Sequence, residues 1–231
     1  MTRKELIQQV VLRMDEVTPE SGLNVIVDGF TDGADSNPLY QLVDGILDDA
    51  ALEVYASAPI YRLPQTAFLG SDMTTETLDG SGSNTYCLHI KLGDTFLRLV
   101  AVNSKYFQRP IVELYPEQSA VAKRQYNRFL RGREAKPVGI ITHYTFYGSQ
   151  KARSIDCYSF KTTDQSSAIT ASFASLSSYV ARPTIAATGN ITFEPSLIPA
   201  LEWLSAAKAF GARGDTAHMQ ICQQNAQELL V

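Results

Sequence analysis

Helical periodicity occupies both ends of this chain, and roughly a hundred residues between them change to the short alternation of β-strands. A helix with one apolar stripe must bury it against another element, so the first and last helices have to meet each other around whatever lies between. The pattern predicts an α+β fold. Residues 1–70 and 190–231 form a helical bundle, and residues 71–189 form a central, mainly antiparallel β-rich domain inserted into it.

The best-marked helix runs over 37–59. Asn37 suits the N-cap, and Pro38 suits the first helical position, where its missing N–H would have had no intrahelical acceptor. Leu39, Leu42, Val43, Ile46, Leu47, Ala50, Ala51, Val54 and Tyr55 follow at helical spacing, with Gln41, Asp44, Asp48, Asp49 and Glu53 between them. Pro59 ends it by forcing the preceding residue out of the helical region. Gly45 is its one weak position. Upstream, Thr2 and Glu5 make a capping box ahead of the stripe Leu6, Ile7, Val10, Val11 and Met14, which predicts a helix over 3–16. At the tail, Leu197, Leu201, Leu204, Ala207 and Phe210 form an apolar helix. Gly211 to Gly214 break it, and Asp215 caps a last helix carrying Ala217, Ile221, Cys222, Leu229 and Leu230. So short a link makes this pair a helical hairpin.

Residues 70–84 are dominated by Ser, Thr, Gly and Asp, which predicts a mobile loop or a segment ordered by a partner. Tyr86 to Leu92, the turn Gly93-Asp94 and Phe96 to Val102 read as a hairpin. Further strands are expected at 111–115, 138–147, 154–161, 169–174 and 178–182, with a second hairpin turning at Gly148-Ser149-Gln150. One helix over 119–131, closed by Gly132, interrupts them.

The 231 residues are enough for one large or two small cores without a disulfide or metal staple. Cys87, Cys157 and Cys222 are odd in number and lack metal spacing, which points to buried free thiols and a reducing compartment. A net charge of −4 argues against general nucleic-acid binding. No secretory h-region follows Arg3 and Lys4, and no apolar run is long enough to span a bilayer, so the expectation is a soluble, non-exported chain.

Catalytic signatures are missing: no nucleophile elbow, phosphate loop or zinc-binding HExxH, and His89, His143 and His218 fall in separate elements. His89 and Cys157 can meet across a sheet, although two inward side chains on neighbouring strands is the commoner outcome. No enzymatic activity, catalytic residue, cofactor or metal site is therefore expected. Asp28, Asp32 and Asp35, interleaved with Gly29 and Gly33, offer oxygens to calcium, but their spacing does not fit an EF-hand and a turn-rich solvated loop is the plainer reading. Lys123, Arg124, Arg128, Arg131, Arg133 and Lys136, with Tyr126 and Phe129 among them, make the one basic cluster. On a helix, Lys123, Arg124, Arg128 and Arg131 share a side, which suits a solvated face, an acidic neighbouring subunit or nucleic acid.

Four segments carry a resemblance: the opening MTRKELIQQVVLRMDEVTPE, the helix NPLYQLVDGILDDAALEVYASAP, the stretch YFQRPIVELYPEQSAVAKRQYNRFLRGREAKPVGI, and the tail LEWLSAAKAFGARGDTAHMQICQQNAQELL. In these the chain resembles head-to-tail connector (ring or adaptor) proteins of tailed bacteriophages, most closely those of crAss-like phages. The resemblance implies a virion structural protein in the neck or tail, assembled in the bacterial host cytoplasm. It implies a homo-oligomeric ring, commonly of about twelve copies, that connects the portal to the tail, contacts neighbouring ring proteins and lines the channel through which DNA passes. No membrane partner is implied. The candidate subunit-interface residues are Asp28, Asp32 and Asp35 on one side and Lys123, Arg124, Arg128 and Arg131 on the other. A second reading, from the residues alone, is a ligand- or carbohydrate-binding β-domain with Tyr144, Tyr147, Tyr158 and Phe160 lining a groove.

Overall fold

Both bonds of the capping box are made: the Thr2 backbone N–H donates to Glu5 Oε2 at 2.7 Å, and the Glu5 N–H to Thr2 Oγ1 at 3.2 Å. They start α1 (Arg3–Val17) in a computed structural model that describes residues 1–17, 38–80, 83–146 and 151–231. The protein is α+β, with helices from the two ends of the chain and a central domain rich in antiparallel sheet. It divides into two compact units, Met1–Pro64 with Arg182–Val231, and Gln65–Ala181. The division therefore falls at 64/65 and 181/182, where the sequence placed it at 70/71 and 189/190. The reason is that Gln65–Ala67 is already a strand, and the chain leaves the sheet again at Ala181.

The described α-helices of the first unit are α1, α2 (Pro38–Ser57), α5 (Ile198–Ala212) and α6 (Thr216–Leu230). Asn37, the expected cap of α2, lies outside the described residues. α5 touches α1, α2 and α6, and it is accordingly buried nearly all round, from Ala200 and Leu201 to Ala209 and Phe210. A ring of small side chains, Ala206, Ala207 and Ala209, lets its neighbours approach. Two arginines tie the ends of this unit. Arg3 Nε donates to Asp44 at 2.6 Å and Nη2 to the Asp44 carbonyl at 2.7 Å, while Arg62 Nη1 donates to the Leu229 carbonyl at 2.7 Å and satisfies the last turn of α6. Glu202, buried on α5, is paired with Arg13 Nε at 3.0 Å, and the Arg13 guanidinium lies 5.2 Å from the centre of the Trp203 ring.

The described residues of the inserted unit form two sheets. The strands are β1 (Gln65–Ala67), β2 (Met73–Thr77), β3 (Thr85–Lys91), β4 (Phe96–Ala101), β5 (Leu114–Pro116), β6 (Val138–Thr145), β7 (Lys151–Lys161) and β8 (Ser178–Ala181). The five-stranded sheet runs β2-β3-β7-β6-β5 and the three-stranded sheet β1-β8-β4. All pairs are antiparallel except β5 with β6, which needs a crossover, and that crossover contains α3 (Ala120–Gln125). Leu88, Ile90, Ile155, Cys157 and Phe160 of the large sheet share one core with Phe96 and Leu99 of the small one and with Ile169 and Phe173 of α4 (Ser166–Leu176).

Four expectations are corrected here. Residues 70–84 are not a loop throughout: β2 pairs along β3 from Met73↔Ile90 to Thr77↔Tyr86. An edge strand needs few inward side chains, and a Thr-rich run suits the pleat. Asp79 and Gly80, at φ 65° and 94°, make the turn that follows. The strands on either side of Gly93-Asp94 do not form a hairpin. β3 belongs to the large sheet and β4 pairs with β8 in the small one, with bulges that bring Phe96 and Leu99 to the same core. Residues 169–174 are helical in α4, because Ile169 and Phe173, four apart, are the pair that is buried. Finally, 111–115 supplies only an Ile111–Val102 bridge before β5 begins at Leu114. The second expected hairpin does form, β6 to β7 from Val138↔Tyr158 to Thr145↔Lys151, and its turn residues lie outside those described.

Candidate functional site

The helix that was to carry the basic residues is short. Ser119 caps α3, accepting from the Ala122 N–H at 3.1 Å, but the helix stops at Gln125 rather than continuing to Arg131. Two side chains end it. Asn127 Oδ1 accepts from the Phe129 N–H at 2.9 Å, an Asx turn that competes with helical bonding. Gln125, itself buried, accepts the Gly132 N–H on its side-chain oxygen at 2.8 Å, and its backbone carbonyl accepts Arg131 Nε at 2.8 Å. The chain from Tyr126 to Gly132 is thus folded back onto the end of α3 as a closed loop. Gly132 is the residue that lets it close: a Cβ there would lie 2.9 Å from the Tyr158 carbonyl oxygen and 3.2 Å from that of Lys136.

The expectation that Lys123, Arg124, Arg128 and Arg131 line one side of a helix is therefore overturned. Lys123 and Arg124 are exposed on α3, and Arg128 projects from the loop. Arg131 turns inward and anchors the loop to the β2–β3 turn, with Nη1 at 3.1 and 3.2 Å from the two carboxylate oxygens of Asp79. Asp28, Asp32 and Asp35 lie outside the described residues. What the closed loop presents instead is apolar: Phe129 is 81% exposed, Tyr126 76% and Leu130 60%, flanked by Lys123, Arg124 and Arg128. Beside it opens a cleft of about 430 Å³ lined by Asp79, Arg128, Phe129, Arg131, Arg133 and Lys161. With Glu134 at its edge, the cleft has four cations to two carboxylates, a balance that accepts anionic groups. Sequence reasoning found the cations and missed the exposed aromatic tip, because on a helix Tyr126, Phe129 and Leu130, at i, i+3 and i+4, share one face and read as a stripe to be buried. The Asn127 side chain is the one local signal for the break.

A second polar cluster lies under the large sheet's other face. His89, buried on β3, has Nδ1 at 2.7 Å from Asp156 Oδ1 and Nε2 at 3.0 Å from Glu76 Oε2, and its ring stacks on Tyr144 with centroids 3.7 Å apart. Ser154 Oγ donates to the same Asp156 oxygen at 3.1 Å. Both imidazole nitrogens are thereby occupied, so neither is free to take a proton from a nucleophile, and the serine serves the carboxylate rather than the ring. The arrangement pins β2, β3 and β7 together. His89 and Cys157 do not meet, since Cys157 stands opposite Leu88 and Gly139, one residue out of phase with the His89–Asp156 pair. Burial pushes the Cys87 and Cys157 thiols well above their ordinary value and Cys222 to about 11. Such thiols are poor nucleophiles.

Of the four aromatics expected to line a ligand groove, Phe160 is in the core, Tyr144 stacks on His89, Tyr158 is half-buried on β7 and Tyr147 lies outside the described residues. Among the described residues, no group of three or more His, Cys, Asp or Glu side chains is placed to hold a metal ion, and no helix is long and apolar enough to cross a membrane. No protein-family model matches the chain, and no match to it was found among curated proteins or solved structures.

Proposed function

We propose that this chain is a virion structural protein, a ring-forming subunit of a phage neck or tail that connects the portal to the tail and lines the DNA channel. The observation that supports the reading most is the closed loop 126–132, which holds two aromatic rings and a leucine out in solvent between cations. Exposed aromatics beside arginine are the composition of a protein interface core, and a chain folding alone gains nothing by leaving them in water. The four segments in which the chain resembles phage connectors agree with a helical unit built from both chain ends around an inserted sheet unit. A subunit with net charge −4 also suits a channel, since a strongly positive lumen would hold the phosphates of passing DNA.

The partners of this reading are further copies of the chain in a ring of about twelve, the portal, and the neighbouring tail proteins, in virions assembled in the host cytoplasm. Native mass spectrometry of the chain, alone and mixed with an intact portal ring from the same genome, tests it. A complex of fixed high copy number is the expected result. Failure to form one, either alone or on the portal, overturns it.

A further inference from the structure

We infer that the loop 126–130 of one copy docks on the outer face of α2 in the next, around Gly45, an interface that rests on the ring reading and gives it a definite geometry. The outer arc of α2 holds Gln41, Leu42, Gly45, Ile46, Asp49, Leu52, Glu53 and Ala56, opposite the buried Val43, Leu47, Ala50 and Val54. Leu42, Ile46 and Leu52 are only partly covered, so this arc is neither core nor fully polar.

Gly45 is the telling residue. It sits in the middle of a 20-residue helix, where glycine weakens the helix relative to alanine, and a Cβ built on it meets nothing within 4 Å among the described residues. No turn or close packing among the described residues of its own subunit explains it. A glycine on an exposed helix face forms a notch, and a notch bordered by leucine and isoleucine receives a projecting ring from outside. Asp49, one turn along, is exposed and has no partner among the described residues, whereas Asp44 is held by Arg3 and Glu53 by Lys208.

The loop supplies the complement. Phe129 is the projecting ring, Leu130 and Tyr126 flank it, and Arg128 is within the same tip with, among the described residues, no closer carboxylate than Asp79 at 3.9 Å. Charge makes a second copy the fitting occupant. Residues 120–136 carry six cations and one carboxylate, a net +5, which leaves −9 on the rest of a chain whose total is −4. Each copy thus offers one basic apolar tip and an acidic surface elsewhere, two different patches, which is the requirement for a heterologous contact that closes into a ring.

The test uses the full chain with single cysteines placed at these exposed positions, the native thiols being buried. Mixing Gly45→Cys copies with Phe129→Cys copies under mild oxidation is expected to give a disulfide-linked dimer that neither variant gives alone, and the doubly substituted chain is expected to give a ladder. In parallel, Asp49→Arg and Arg128→Asp are each expected to weaken self-assembly by roughly tenfold, and the two together to restore it. A wild-type ring without the mixed cross-link, or with Phe129→Cys copies linking to themselves, overturns this interface and leaves the ring reading standing. A wild type that assembles neither alone nor on the portal overturns both.

Discussion

At the scale of single residues, two glycines make opposite demands. Gly45 faces open space, so Gly45→Ala is expected to stabilise the subunit by about 1 kcal/mol in chemical denaturation. Gly132 faces backbone oxygens that cannot swing aside, so Gly132→Ala is expected to destabilise by about 1–3 kcal/mol by the same measurement. His89 carries more than packing. Its removal in His89→Ala leaves Asp156, buried, with only the Ser154 hydroxyl, and a cost of about 2–3 kcal/mol is expected. If the variant unfolds at the wild-type denaturant concentration, the cluster contributes nothing to stability.

At the scale of elements, the α5–α6 junction depends on a cap that titrates. Asp215 accepts from His218 Nδ1 at 2.6 Å and from the His218 backbone N–H at 3.2 Å, and these bonds, the side-chain one foremost, hold its carboxyl below the ordinary value of 3.8. A depressed carboxylate contributes stability that is fully present above 3.8 and is lost as pH falls through the lower folded value. The melting temperature is therefore expected to drop on acidification below about pH 4, and Asp215→Asn, which keeps the cap but not the charge, is expected to flatten part of that slope. Salt should reduce the difference, because the group is on the surface. Equal pH slopes for the two proteins would remove Asp215 from the account.

At the scale of the molecule, the inserted unit is one continuous stretch with its own core of two sheets and α4. A fragment of residues 65–181 is expected to fold alone, with cooperative loss of near-ultraviolet circular dichroism on heating. The helical unit has no such independence in sequence, since its halves lie at opposite ends of the chain. A fragment without a cooperative transition would mean that the insertion depends on the helices for stability.

The helices were legible in the sequence because their signals are local. The Thr2/Glu5 box, Pro38, the Gly211–Gly214 break and the Asp215 cap each fix a boundary within a few residues, and a 3.6-residue apolar period runs through α1, α2 and α6, while α5 is apolar nearly all round. Strand existence was mostly legible for the same reason. Which strand pairs with which was not: Phe96 to Ala101 continues from a turn yet joins the other sheet, because its partner is chosen by a core made from residues far apart in sequence. The basic cluster followed the same rule. Its cations were plain in the sequence, but the break after Gln125 depends on bonds from Gln125 to Gly132 and from Arg131 to Asp79, and the second of these reaches across 52 residues. Sequence thus determined the chemistry available at the loop, and tertiary structure alone decided that Arg131 turns inward and Phe129 outward, since only the closed loop has an inside.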